Sequence, residues 1–279
     1  MASANRPAAH RPAADEINKI QPRDAAAQTP SYRRVATGGE RSATARTFAG
    51  HSEIRSASAV RHTVSCCARR SGAGADFSAH ARIAAAWRKP GAKDILRRAL
   101  VLLADHELNA STFAVRVAAS TGAAMSACLL AGLATLSGPL HGGAARALQS
   151  LLNAARQRGA NEAVREWLAR GELLPAFGHP LYPQGDPRAA ALMHHCKLSG
   201  MFAEVRQAAE DLTGDPPNVD FALAALAESY ALPSEAPFVI FALSRSVGWM
   251  AHALEQTATG QLIRPRARHV GPALVKEGP

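Results

Sequence analysis

From about residue 81 onward, apolar positions recur at intervals of three and four, the spacing of one helix face. The first such stretch is "KDILRRALVLLADHEL". Ser111 then reads as the N-cap of "TFAVRVAAS". "AAMSACLLAGLATLSG" is a third helical run, halted by the turn "SGPLHGG". "AARALQSLLNAARQRG" is amphipathic and stops at Gly159, placed as a left-handed C-terminal glycine, and "NEAVREWLARG" stops in the same way at Gly171. Two shorter pieces follow, broken near Ser199 and Gly200. "VDFALAALAESYAL" ends before Pro233, and "APFVIFALSRSVGWMAHALEQTATG" runs to Gly260. No strand ladder and no internal repeat emerges, so the pattern predicts an all-α fold.

Residues 1–80 show no sustained period. Ala, Arg, Ser, Thr, Pro and Gly dominate there, and such a segment buries too little apolar area to offset the entropy of ordering it. It is read as a basic low-complexity segment, mostly disordered or foreign to the fold behind it. Residues 272–279 are read as a tail.

Composition sharpens this picture in three ways. Aromatic residues are only 5% of the chain against 47% hydrophobic residues in all, so Ala and Leu do the packing, which favours close-set helices. The net charge of +10 comes mainly from arginine, the better residue for forked recognition of carboxylates and phosphates. No zinc spacing, aromatic RNA-binding motif or helix-turn-helix accompanies it, so nucleic acid is not the expected partner. The four cysteines, Cys66, Cys67, Cys128 and Cys196, match no metal spacing and read as free thiols of a cytoplasmic protein. No apolar run is long enough to span a bilayer, and the start lacks the apolar segment of a signal peptide.

Candidate chemistry lies in the breaks between helices. "ADHELN" holds His106, "GPLHGGA" holds His141, and "FGHPLYPQGDPR" holds His179 and Arg188. "PPNVDF" holds Asp220, the segment "SRSVG" holds Arg245, and "IRPRAR" holds Arg264, Arg266 and Arg268. Each has a bland reading alone: a capped histidine, an N-cap aspartate, a solvated first-turn arginine, a basic tail. His194 and His195 have no partner spacing and read as filler. Together the others form a set with a chemical logic. Arginines bind a small polycarboxylate, a lone Asp serves as general base, and histidines donate to oxygens where negative charge develops. There is no phosphate-binding glycine loop, no framed nucleophile and no metal cluster.

These stretches, in this order, resemble the citrate synthase family in its bacterial branch of citrate and 2-methylcitrate synthases. The resemblance runs from about residue 81 to 271 through "DHELNASTFAVRVAAST", "SGPLHGGA", "FGHPLY…GDPR", "PNVDF", "FALSRSVGWMAHALEQ" and "IRPRARHVG", with a divergent or truncated part in front. It implies a helical fold with a large domain and a small one, the latter roughly residues 145–250, which closes over the substrates. It also implies an acyltransferase of the tricarboxylic acid cycle, joining acetyl-CoA to oxaloacetate with no cofactor beyond these substrates. In that pattern Asp220 is the base, His141 stabilises the enol and His179 polarises the ketone. His106, Arg188 and Arg245 bind oxaloacetate, and Arg264 reaches the site of a partner subunit, so a homodimer is implied. Two alternatives stay open: a 2-methylcitrate synthase using propionyl-CoA, or a shortened, non-catalytic helical dimer that only binds ligand.

Overall fold

The structure is a computed structural model that describes residues 78–267 and residue 271. The low-complexity reading of the front segment falls on residues 1–77, outside the described residues, and so does the tail at 272–279; of the cysteines, Cys66 and Cys67 also lie outside. Among the described residues there are ten α-helices, one 3-10 turn at Pro90–Ala92 and no strand. In chain order they are α1 (Ala79–Ala86), α2 (Lys93–Leu102), α3 (Ala110–Ser120), α4 (Met125–Leu136) and α5 (Ala144–Arg158). Then come α6 (Ala160–Ala169), α7 (Pro187–Met193), α8 (Gly200–Thr213), α9 (Val219–Ser229) and α10 (Ala236–Thr259). Among the described residues the first helix starts at Ala79, two residues before the expected change of pattern.

The apolar faces meet in three cores. One gathers Ile83, Leu96, Leu103, Leu192, Leu223 and Ile240 from α1, α2, α7, α9 and α10. A second gathers Leu148, Val164, Phe202, Val205 and Phe221 from α5, α6, α8 and α9. The third holds Val115, Cys128, Leu136 and Trp249 from α3, α4 and α10. Helix α9 is shared: Phe221 and Ala225 enter the second core, while Ala222, Leu223 and Leu226 enter the first. An alanine-rich helix allows this, because small side chains on both faces let neighbours approach closely.

Three local expectations are corrected. The N-cap of α3 is Asn109, whose Oδ1 accepts from Thr112 N at 3.0 Å. Ser111 is instead fully buried in the first turn, with its hydroxyl turned to other partners. Helix α2 stops at Leu102 and does not continue through "ADHEL". The reason is competition for carbonyls: Leu103 O accepts from Arg245 Nε at 2.9 Å and Ala104 O from Gly248 N at 3.0 Å. The chain therefore leaves the helix and runs across α10. Gly159 has φ 90° and ψ 153°, which is not the left-handed helical conformation. Gly171 (φ 72°) and Gly260 (φ 64°) do have the positive φ of a helix-ending glycine.

Candidate functional site

The segment Ala176–His179 and the segment before α9 are tied side by side. Phe177 and Pro217 form an antiparallel bridge, Gly178 N donates to Pro216 O at 2.8 Å, and Asn218 N donates to Ala176 O at 3.0 Å. Asn218 Nδ2 adds a bond to Gly178 O at 2.9 Å. Ala176 takes φ 69° and Gly178 φ 65° to make the bend. The positive φ at a non-glycine residue is a local strain held by these bonds. The same Asn218 caps α9, its Oδ1 accepting from Asp220 N at 3.0 Å. The break carrying His179 and the helix carrying Asp220 are thus one construction.

Around it sits a ring cluster. His106 and His179 meet edge to face at 5.2 Å between centroids, and Tyr182 packs at 5.0 Å from His179 and 5.6 Å from His106. His106 Nε2 lies 3.1 Å from Tyr182 Oη. The guanidinium of Arg188 lies over the Tyr182 ring at 5.3 Å. Arg188 is no solvated first-turn residue: it is buried, and its Nε and NH2 donate to the two oxygens of Asp186 at 2.9 and 2.8 Å. Asp186 also caps α7 and accepts from Val219 N at 3.1 Å, joining the start of α7 to the start of α9. Burial pushes the Asp186 carboxyl up, but the paired bonds and charge of Arg188, with two backbone N–H groups, hold it below its ordinary value.

Asp220 follows Asn218 by two residues and faces the same charges. Burial raises its carboxyl to about 6, with the charge of Asp186 adding to the rise and that of Arg188 opposing it. The histidines move the other way. Burial and then the charges of Arg188 and Arg245 lower His106 to about 4. His179 is lowered by burial and then Arg188, and His141 by burial and then Arg245. At neutral pH the arrangement therefore holds two ionised carboxylates, Asp186 paired with Arg188 and Asp220 without such a pair, among neutral imidazoles and guanidinium ions.

His141 comes from the turn between α4 and α5. Its backbone N–H and that of Gly142 both donate to Gly138 O at 3.0 Å. Side chains cannot replace the two glycines of "HGG": a Cβ on Gly142 would meet Leu136 O, and one on Gly143 would meet Pro139 O. His141 Nε2 lies 2.9 Å from Ser111 Oγ, and that oxygen accepts from Trp249 Nε1 at 3.3 Å. The His141 ring packs edge to face on Phe241 at 6.4 Å. The guanidinium of Arg245 lies over that same Phe241 ring at 4.8 Å. Arg245 is fully buried; its Nε is bonded to Leu103 O, while NH1 and NH2 have no hydrogen-bond partner. Burial and then the field of Arg188 lower it to about 10. Leaving two charged donors unsatisfied in the interior costs free energy, so the pair marks a place for an anionic acceptor.

Six of the seven residues singled out in the sequence are linked by contacts or mutual fields: His106, His141, His179, Arg188, Asp220 and Arg245. Arg264 stands apart, exposed in the extended segment after α10, where with Pro265, Arg266 and Ala267 it lines a cavity of about 400 Å³. His194 and His195 are exposed and meet edge to face at 5.2 Å. Sequence reading missed Asp186, Tyr182, Ser111 and Asn218 as site builders. "DPR" held a signal for the first, since an Asp two residues before an Arg at a helix start can cap and pair at once. Among the described residues no group of three or more His, Cys, Asp or Glu could hold a metal, and no helix is long and apolar enough to cross a membrane.

Comparison with known proteins gives the same direction. The family model described as "Citrate synthase, C-terminal domain" matches residues 16–266, starting well inside the low-complexity segment. Citrate synthase 2 of Bacillus subtilis is 39% identical over 190 residues, covering 64% of this chain and 51% of that protein. The 2-methylcitrate synthase of Shewanella oneidensis is 36% identical over 183 residues, 62% of this chain and 49% of its own length. The chain spans about half the length of these curated relatives. Among solved structures, the ternary complex of citrate synthase from Thermoplasma acidophilum with carboxymethyl coenzyme A and oxaloacetate superposes with a TM-score of 0.63 at 32% identity. That match covers 73% of this chain and 60% of the other.

Proposed function

The chain belongs to the citrate synthase family, and on that premise we propose that it condenses acetyl-CoA with oxaloacetate to citrate, releasing coenzyme A. The observation that carries the reading is Arg245, a buried guanidinium with two unpartnered nitrogens whose charge acts on His106 and His141 and which stands in the field of Arg188. A dicarboxylate is an acceptor-only ligand of matching charge, and forked bonds from Arg245 and Arg188 would hold it. His106 adds a donor.

Asp220 takes a proton from the methyl carbon of acetyl-CoA, and neutral His141 donates a hydrogen bond to the thioester oxygen as the enol forms. The enol carbon attacks the ketone carbon of oxaloacetate. The ketone oxygen, polarised by His179, takes a proton from that imidazole, and the proton that Asp220 removed returns to His179 through water, so the count closes. Water then cleaves the citryl thioester to citrate and coenzyme A. The residues invoked suffice for these steps without a further cofactor. Holding two reactants in line supplies several kcal/mol of the barrier reduction, on the order of what intramolecular reactions gain.

A second copy of the chain is part of the reading. Exposed Arg264 supplies a carboxylate contact in the partner's site, and the apolar side chains left exposed on α3, α4 and α10, among them Phe113, Leu130 and Leu254, support such a pairing.

The test is thiol release from acetyl-CoA by the purified chain, which should require oxaloacetate and fall by orders of magnitude in Asp220→Asn. Unchanged turnover in that variant removes Asp220 from its role. The Shewanella relative favours a second reading, with propionyl-CoA as the thioester. One methylene is worth only ~1–3 kcal/mol of discrimination, so kcat/KM for the two thioesters decides between them. Oxaloacetate binding without thioester cleavage would instead make this a ligand-binding protein.

A further inference from the structure

Tyr182 touches three of the residues assigned above and has no role in the proposed chemistry. Its hydroxyl is 3.1 Å from His106 Nε2, its ring is 5.0 Å from that of His179, and Arg188 lies over it at 5.3 Å. Its own backbone is pinned on both sides, Tyr182 N donating to His179 O at 2.9 Å and Gly185 N to Tyr182 O at 3.0 Å. The side chain is therefore stiffly placed, between two turns of a loop that prolines already restrict.

The contact with His106 can be made in two ways, and they leave opposite chemistry at the other ring nitrogen. If Tyr182 O–H donates to Nε2, the imidazole proton sits on Nδ1 and that nitrogen is a donor. If Nε2–H donates to the phenol oxygen, Nδ1 is a bare acceptor. The surroundings choose between them. Arg188 and Arg245 both act on His106, so a ligand drawn to this place is anionic and offers only acceptors. A bare Nδ1 would repel it. A protonated Nδ1 would add a third donor to the two guanidinium ions.

We propose that Tyr182 is a positioning residue that fixes His106 in its Nδ1–H tautomer, so that the imidazole presents a donor to an acceptor-only dicarboxylate. The ring serves a second purpose by supporting Arg188 face-on, so one side chain aligns two ligand contacts. The inference deepens the reading of this site as an oxaloacetate site and rests on it for the ligand, although the tautomer itself does not depend on turnover.

The test begins with the whole, ligand-free chain labelled with ¹⁵N in histidine, His106 being assigned by loss of its signals in His106→Asn. A pyrrole-type Nδ1 with a pyridine-type Nε2 supports the proposal, and the reverse pattern overturns it. In Tyr182→Phe, which keeps the ring, the His106 signals are expected to move towards a tautomer mixture. Unchanged signals there overturn the proposal too. Calorimetry then reads the consequence. Oxaloacetate affinity should fall about tenfold in Tyr182→Phe, the worth of one ordered hydrogen bond, with acetyl-CoA KM unmoved. An affinity equal to the wild type overturns the positioning role. A wild-type chain that binds no oxaloacetate sinks the functional reading instead, and the nitrogen signals still decide the tautomer.

Discussion

Asn218 donates to the Gly178 carbonyl at 2.9 Å while its own Oδ1 caps α9 at Asp220 N, 3.0 Å away. One amide thus sets the break of His179 against the helix of Asp220. Asn218→Asp keeps the capping oxygen and loses the donor, whereas Asn218→Ala loses both. Urea unfolding is expected to show a loss of about 1–2 kcal/mol for the alanine variant and less for the aspartate. Both should lower kcat. An aspartate variant with wild-type kcat would show that the tie to Gly178 does not matter to the chemistry.

Asp220 links activity and stability with opposite signs. Its folded value of about 6 lies above the ordinary 3.8, so the native state prefers the protonated form. That preference stabilises the fold fully below pH 3.8 and is lost as pH rises through about 6. Asp220→Asn removes the cost of the buried charge, and at pH 7 it is expected to be more stable by on the order of 2 kcal/mol. Near pH 3.5 the two chains should melt together. In the wild type, kcat/KM should fall on the acid side with an inflection near 6. A wild type that melts as high as the variant at pH 7 would contradict the raised value.

Arg245 carries a similar trade. Arg245→Leu removes a buried charge with two unpartnered nitrogens, so the ligand-free chain should melt no lower than the wild type despite losing the bond to Leu103 O. The upward shift in Tm that oxaloacetate gives the wild type should vanish in the variant. A variant still stabilised by oxaloacetate would place the carboxylate elsewhere.

Arg264 is tested by mixing subunits. On the proposed pairing of two subunits, the Asp220→Asn and Arg264→Ala chains should each be inactive or nearly so. Unfolded and refolded together in equal amounts, half the dimers are mixed, and each mixed dimer holds one intact site. Roughly one quarter of wild-type activity is expected on this symmetry. No recovery would mean that Arg264 serves its own subunit's site or none.

Gly248 is the close-approach point between α10 and the segment leading to His106. A Cβ there would strike Ala104 O and come 3.0 Å from Asp105 Oδ1. Gly248→Ala should cost about 1–3 kcal/mol through overpacking and raise the KM for oxaloacetate by displacing His106. Thermal melts and steady-state kinetics check both.

The helices were legible because their apolar spacing is unbroken, and α5, α6, α9 and α10 fall where the pattern put them. The start of α3 was not, because Asn109 and Ser111 are both good caps by residue type. Only tertiary contact shows that Ser111 serves His141 and Trp249. The end of α2 was hidden for the same reason, the next two carbonyls, those of Leu103 and Ala104, being claimed by Arg245 and Gly248, more than a hundred positions on. His106, His141, His179 and Asp220 stood out in sequence because each sits in a break with prolines, glycines or a cap beside it. Tyr182 did not, since a lone tyrosine in a loop announces nothing until its hydroxyl is seen at His106.

Helix α9 belongs to two cores at once, with Phe221 on one side and Leu223 and Leu226 on the other. Its eleven residues make a rod about 16 Å long. A tilt of a few degrees about its far end would carry Asp220 about an ångström off line, a shift able to cost on the order of a hundredfold in rate. Repacking at Leu148 or Leu192, one in each of the two cores that α9 joins, should therefore be felt as leverage on proton transfer before it is felt as unfolding.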